Sequence, residues 1–509
     1  MTSLQASHLV ATFESHWPVL AVLAGLSVAM LAIALRSRPP VTAVEIPKST
    51  VAGWACVFVV PPLIYLTALG SRLSVAASIF AAFLGATVLL WVFNLVDEFV
   101  PPLVALVATL FIGLAPPEVA LAGFSSPSLL LLIGVFALAA VISASGLSYR
   151  LMLRLVLALP DKPLWRQIAL LGSGYLLSPV VPSNNARLSL LIPVMRDTAA
   201  DLRLASRGPA ITALLASAFG GAILLGPMVA TGKSANIAGL NLLPLPMRSE
   251  FSGIYWLYAA AAAAAVMTLA HLISVRKVFS SEPETPLPRD ELRAKLADMG
   301  PVTATQWIAA GGAIFFVLGS ATESWHHVRP PYLAGCVLLV LLITTALRRS
   351  DFQKRIDWPM IFFLLGIDSL NRVMTYLGLS QSLARVTRHA FDFVGGNIGL
   401  FLLTSLIVTF LIRIVLPVTA GMLTATMILL PVATEQGIHP WICIFAAAIF
   451  SDIAIFRHQG TNGIVQIRAA GLFDETDERS FLRYNMLMNA TRVAAVFASI
   501  PWWQWLDLL

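Results

Sequence analysis

Residues 132–151 read LIGVFALAAVISASGLSYRL, and residues 364–383 read LLGIDSLNRVMTYLGLSQSL. Aligned on Gly134 and Gly366, the two stretches also share Leu132/Leu364, Val141/Val373, Gly146/Gly378, Leu147/Leu379, Ser148/Ser380 and Leu151/Leu383. Each copy is followed by an apolar stretch interrupted by polar or small residues, SPVVPSNNAR at 178–187 and PVTAG at 417–421. After each interruption comes an apolar helix ending in a polar, Gly-bearing break. Chance agreement between Leu-rich helices is the competing explanation, and the ordered recurrence of hairpin and break argues against it. Two halves on one plan are the pattern of a membrane carrier with internal repeats.

Composition agrees. The chain is 58% hydrophobic and only 12% charged, where soluble domains carry about 25% charged residues. Its mean hydropathy is +0.84. Apolar runs near the roughly 20 residues that cross a bilayer recur throughout. They predict an all-α polytopic protein with spans at 17–36, 51–70, 74–96, 99–115, 127–146, 210–230, 252–274, 303–321, 331–347, 358–378, 440–457 and 483–503. The first ends in Arg36 and Arg38 without a cleavage site and reads as a retained helix. Cys56, Cys336 and Cys443 lie in apolar runs without metal-like spacing.

The net charge of +7 does not point to nucleic acid. Basic residues gather in alternate loops, among them Arg150, Arg154, Lys162 and Arg166, then Arg276, Lys277, Arg289 and Arg293. That alternation places 147–167 and 275–300 in the cytoplasm and the N-terminus outside. By the same rule the first copy runs inward and the second outward, so the repeats are inverted. The interrupted stretches 168–200 and 396–435 have arms too short for two full spans. They read as re-entrant hairpins, tolerated only where protein or a wet cavity receives the irregular backbone. The expected division is 1–122 (N-terminal helices and first scaffold part), 123–250 (first repeat of the transport domain, with hairpin 168–200 and break 231–237), 251–355 (linker helices, cytoplasmic loop 275–300 and second scaffold part) and 356–509 (second repeat of the transport domain, with hairpin 396–435 and break 457–463, and the C-terminal helix). PWWQWLDLL at 501–509 suits an interfacial aromatic belt. A phosphate-binding Gly-rich loop is missing from the sequence, which argues against ATP-driven transport.

The strongest polar constellation pairs SNNARLSLLIP (183–193) with TGKSANIAG (231–239). A half-helix N-terminus at Ser183, Asn184 and Asn185 would aim N–H groups at an anion. Alternatively, Asn and Ser oxygens with freed carbonyls would hold a hard cation such as Na+, or both are capped breaks without a ligand.

These segments, with GFSSPSLLLLIGVFALAAVISASGLS (123–148) and IDWPMIFFLLG (356–366), carry a resemblance. Over roughly residues 100–500 the chain resembles the divalent-anion/sodium symporters of the ion transporter superfamily, carriers of dicarboxylates, citrate, sulfate or arsenite. The resemblance implies an elevator-type homodimer binding sodium and an anion at two hairpin tips and two breaks. Ser183, Asn184 and Asn185 match the first tip, with Asn for Thr. Gly232, Lys233, Ser234, Ala235 and Asn236 match the first break, with Lys for Thr and no prolines. In the second half, counting ten back from Pro431 as Ser183 lies before Pro193 puts Gly421, Met422 and Leu423 at the tip, side chains unable to ligate sodium. The second break reads His458, Gln459, Gly460, Thr461, Asn462, pairing Asn462 with Asn236.

Charges at apparent membrane depth are Arg187, Lys233, Asp368, Arg372, Arg413, Asp452 and Arg457, and such charges are costly and usually functional. Lys233, with Arg187, is expected to stand in for sodium unless it snorkels to an interface. Asp368 and Arg372 have ion-pair spacing, while Asp452 near Arg457 and His458 is either a structural pair or a proton-coupling site. The expectation is a secondary carrier of a small anion (dicarboxylate, sulfate or similar oxyanion) in a bacterial inner membrane. Substrate would meet Ser183, Asn184, Asn185, Lys233, Ser234, Asn236, Gly460, Thr461 and Asn462. Arg187, Asp368, Asp452 and His458 are candidates for coupling, Asn185 and Asn236 for a Na+ site, and Na+ or H+ is the coupling ion, with no other cofactor. A transporter-derived sensor or membrane-complex partner is the alternative. An enzyme built on Asp452 and His458 has no nucleophile or metal constellation behind it.

Overall fold

Proline, glycine and a few polar caps punctuate the chain into helices. The computed structural model describes residues 48–509 except 71, 72, 94, 161, 185, 186, 189–191, 193–208, 252, 280–288, 380, 381, 383–390 and 455–474. The expected helix 17–36, Asn185, Arg457, His458, Gly460, Thr461 and Asn462 therefore lie outside the described residues. Every described regular element is helical.

α1 (Lys48–Gly70) leads to α2 (Val75–Val92), whose first turn is capped by the Ser74 hydroxyl accepting from the Ala77 N–H at 3.2 Å. α3 (Val100–Ile112) opens on Pro101 and Pro102 and closes on Gly113, left-handed at φ 71°. α4 (Ser128–Ala144) and α5 (Leu147–Ala158) meet at a 66° bend. Gly146 makes that bend at φ 72°, and the aligned Gly378 sits at φ 69°, a conformation that favours glycine. α6 (Pro163–Leu177) ends at the first interruption. α7 (Pro209–Phe219) unravels through a π turn, Gly220–Leu224, and a 3-10 turn, Gly226–Met228, before α8 (Ser234–Leu242) begins.

The short helix Leu245–Phe251 and α9 (Ala261–Val278) lead to the polar α10 (Arg289–Asp298). α11 (Ala304–Ala321) starts with a Thr303/Gln306 capping box, and α12 (Pro330–Ile343) follows. The second half holds α13 (Trp358–Tyr376), α14 (Ile398–Val415), α15 (Val418–Glu435), α16 (Pro440–Phe450) and α17 (Glu475–Ala498).

The outside of this bundle is greasy. Leu66, Val107, Leu269, Trp307 and Ile343 are each more than 60% exposed, which water would penalise and lipid welcomes. Five helices are long and apolar enough to cross a membrane, six if the bent α4–α5 pair counts as one span. α16 lies at the centre, with all eleven residues buried, as an all-round apolar sequence requires. It packs on α15, α14 and α8, while α9 packs along α17 and α4 along α12. At the α4–α12 seam a Cβ on Gly134 would land on the Ala334 carbonyl.

Three expectations change. α14 and α15 have 18 residues each, about 27 Å of helix, so the arms of 396–435 are not short against a roughly 30 Å core. They nonetheless pack on each other around a break at Leu416 and Pro417. The helices part at Leu416 and Pro417 and not at the expected Gly421–Leu423: Pro417 cannot continue a helix hydrogen-bond ladder, while Gly421, Met422 and Leu423 are buried within α15. Finally, α16 stops at Phe450, so the helix expected to run to 457 is already broken at 451–454.

Candidate functional site

α8 begins where no good helix cap exists. Its N-cap is Lys233, extended at φ −150° and ψ 152°, with no side-chain capping bond. A cation there faces the positive end of the helix dipole, a poor place for it. The side chain instead crosses to the opposite half, where its ammonium donates to the Ala448 carbonyl at 2.8 Å and to Asp452 Oδ1 at 3.0 Å. Ala448 lies in the last turn of α16, the end of a helix where positive charge is favoured. Both side chains are buried, 4% and 6% exposed, so Lys233 does not snorkel. Asp452 pairs with Lys233 across the halves.

Three more cations gather on the same carboxylate. Arg187, Arg413 and Arg492 are each within electrostatic reach of Asp452, and all three are buried. Glu98, half-buried between α2 and α3, faces Arg413. With both carboxylates ionised, the four cations Lys233, Arg187, Arg413 and Arg492 leave two positive charges in excess among the described residues. Desolvated charge of one sign is unstable without a counter-ion.

Each half laces its interruption to its break. In the first, the Ser234 N–H donates to the Pro182 carbonyl at 2.9 Å and the Thr231 hydroxyl to the Pro179 carbonyl at 2.8 Å. The Arg187 guanidinium donates to the carbonyls of Val181, Gly232 and Ala222 and, at 2.7 Å, to Asn184 Oδ1. In the second half Arg413 donates to the Ser451 carbonyl at 2.8 Å and to the Leu416 carbonyl.

Asn236, in the first turn of α8, spends its amide N–H groups on the carbonyls of Gly226 (3.2 Å) and Val229 (2.8 Å). Its Oδ1 is buried without a partner among the described residues. Ser183, Asn184, Arg187, Lys233, Ser234, Asn236 and Asp452 thus belong to one region. Asp368 does not: it is buried on α13 against Arg372 (3.3 Å) and Arg248 (3.8 Å). The expected Asp368–Arg372 pair is present, and Arg248 is its second partner.

α17 contributes what sequence reasoning missed. The amides of Asn485 and Asn489 donate to the Ala454 carbonyl at 3.0 and 2.9 Å, and Arg492 donates to Asn489 Oδ1 at 2.9 Å. The signal was available: 485, 489 and 492 share one face at helical spacing within an apolar run, and an Arg there demands an explanation.

With this geometry in view, residues 48–509 match the family described as the sodium:sulfate symporter transmembrane region. A membrane protein of Cupriavidus necator is 25% identical over 324 residues, which cover 62% of this chain and 62% of the relative. The inner membrane protein YbhI of Escherichia coli is 22% identical over 289 residues, 56% of this chain and 61% of YbhI. The match thus spans less than two thirds of each curated relative's length. The crystal structure of the Alcanivorax borkumensis YdaH transporter superposes with a TM-score of 0.49 at 15% identity, covering 76% of this chain and 88% of that one.

Proposed function

This chain belongs to the sodium:sulfate symporter family, and from that premise we propose that it carries a small divalent anion, a dicarboxylate, sulfate or similar oxyanion, across the bacterial inner membrane. It is a secondary transporter and not an enzyme. The observation that carries the anion assignment is the buried cluster at the breaks, in which Lys233, Arg187, Arg413 and Arg492 outnumber Asp452 and Glu98. A dianion restores neutrality there and would be held additionally by Ser183, Asn184, Asn185, Ser234 and, from the second half, Gly460, Thr461 and Asn462.

Alternating access by two inverted repeats is the mechanism this arrangement supports. The matching left-handed Gly146 and Gly378 and the tip-to-break bonds in both halves favour it. The interrupted segments, α8 and α16 would form the moving body of a homodimeric elevator. The seam between α4 and α12 argues that α4 stays with α11 and α12 in the scaffold. Na+ is the coupling ion the family premise brings, with H+ as the alternative.

Proteoliposomes loaded with unlabelled sulfate or succinate test the function. Saturable uptake of the labelled anion, reduced at least tenfold by Lys233→Met, is expected. Binding without flux would instead mark a transporter-derived sensor or complex partner.

A further inference from the structure

The family premise implies sodium, so the oxygens available to hold it are decisive. Sodium is a hard cation and needs several oxygens converging on one point. In the first half the Pro179 and Pro182 carbonyls of the interruption are taken by the Thr231 hydroxyl and the Ser234 N–H of the break, which leaves the carbonyls of Val181 and Gly232 and the side-chain Oδ1 of Asn184 between the two segments. All three accept hydrogen bonds from Arg187, whose Nε also takes the Ala222 carbonyl. The guanidinium is fully buried, permanently charged, and planar with five donors. It neutralises converging carbonyl dipoles as a metal ion would.

The second half repeats the device. Arg413 bridges the Leu416 carbonyl of the tip and the Ser451 carbonyl of the break, and Lys233 takes the neighbouring Ala448 carbonyl. Among the fully buried side-chain oxygens of the described residues, one at the first break has no partner, Asn236 Oδ1. A single oxygen does not make a sodium site.

We infer that Arg187 and Arg413 are tethered cations occupying the oxygen sets a coupling sodium would use in either half, so that the anion moves without bound sodium. The inference rests on the carrier function proposed above and deepens it. A cation fixed to the chain cannot be released on either side. It compensates the anion's charge in every state of the cycle and contributes nothing from a sodium gradient. Exchange of one anion for another is then the natural mode.

The test measures sodium directly. Purified full-length protein in detergent, equilibrated with 22Na+ against a choline background, is expected to show no saturable binding. Saturable 22Na+ binding by the wild type overturns the inference and depends on no variant. Arg187→Ala frees the oxygen set, and its melting temperature is expected to rise with Na+ and not with choline, whereas the wild type responds to the two alike. An Arg187→Ala protein that folds and shows no sodium preference counts against the assignment.

Sulfate and succinate exchange in liposomes is expected to agree within twofold in sodium and in choline. Flux that requires sodium refutes the inference and leaves the carrier intact. No flux of either anion under any cation refutes the carrier, while the 22Na+ result still decides what Arg187 and Arg413 do.

Discussion

Asp452→Asn is the most informative single substitution. Coulomb's law gives roughly 5.5 kcal/mol for unit charges 3.0 Å apart at an effective dielectric of about 20, before desolvation is subtracted. Neutralising Asp452 leaves Lys233, Arg187, Arg413 and Arg492 buried with only Glu98 for compensation, and stripping one partner from a buried pair costs about 3–5 kcal/mol. Lys233→Met is milder. It leaves the carboxylate facing three guanidinium groups, so the loss is that of a charged hydrogen bond, about 1.5–3 kcal/mol.

The order of stability is therefore wild type, then Lys233→Met, then Asp452→Asn. Unfolding scans of purified protein at one fixed heating rate read this order, since the melting of large proteins depends on scan rate. The same cation excess makes Asp452→Asn a better anion binder. Removing one negative charge beside the site is expected to tighten sulfate at least about tenfold, equivalent to ~1.4 kcal/mol, seen as a larger sulfate-dependent rise in melting temperature. If Lys233→Met is as damaging as Asp452→Asn, or if sulfate stabilises the two proteins equally, the charge accounting is wrong.

Other consequences are separately testable. Gly134→Val drives a side chain into the Ala334 carbonyl and is expected to cost about 1–3 kcal/mol. Gly335→Ala, whose new methyl meets only ordinary contacts with Leu130, should melt like wild type. Asp368→Asn strands Arg248 and should destabilise by about 3–5 kcal/mol, while Arg372→Gln, removing a partner whose side chain is 33% exposed, should cost no more than about 1 kcal/mol.

His439, in the connection between α15 and α16, has its pKa lowered by burial and accepts the Trp441 N–H at Nδ1. The unfolded chain thus takes up a proton that the folded one refuses. Stability is full above about pH 6.5 and declines as pH falls below it. His439→Asn keeps an acceptor at the cap and should flatten that decline in melts compared at pH 5 and pH 7.5.

The two turns were legible because glycine records backbone geometry: Gly146 and Gly378 align in sequence and both turn left-handed. The buried charges were legible because ionisable side chains in apolar runs are rare. What escaped was partnership. Lys233 lies far from Asp452 in the chain, and no local pattern indicates that an N-cap lysine will reach into the far end of α16. Arg187 was read as an auxiliary to Lys233, whereas the carbonyls that define its role belong to three separate segments. Counting back from Pro431 put the break at Gly421–Leu423, whereas α15 carries that proline within an 18-residue helix that already starts at Val418. Arg492 was overlooked for a simpler reason: its two asparagine neighbours soften the hydropathy of α17 without breaking it.

The contact between Gly134 and Ala334 also bears on motion. Helices separated by interdigitated side chains can slide, since rotamers yield one at a time and act as a bearing. Here main chain rests on main chain with nothing between that can rearrange. Such a joint behaves as a weld, and any slip plane used during anion passage must run along some other face of α4 and α12.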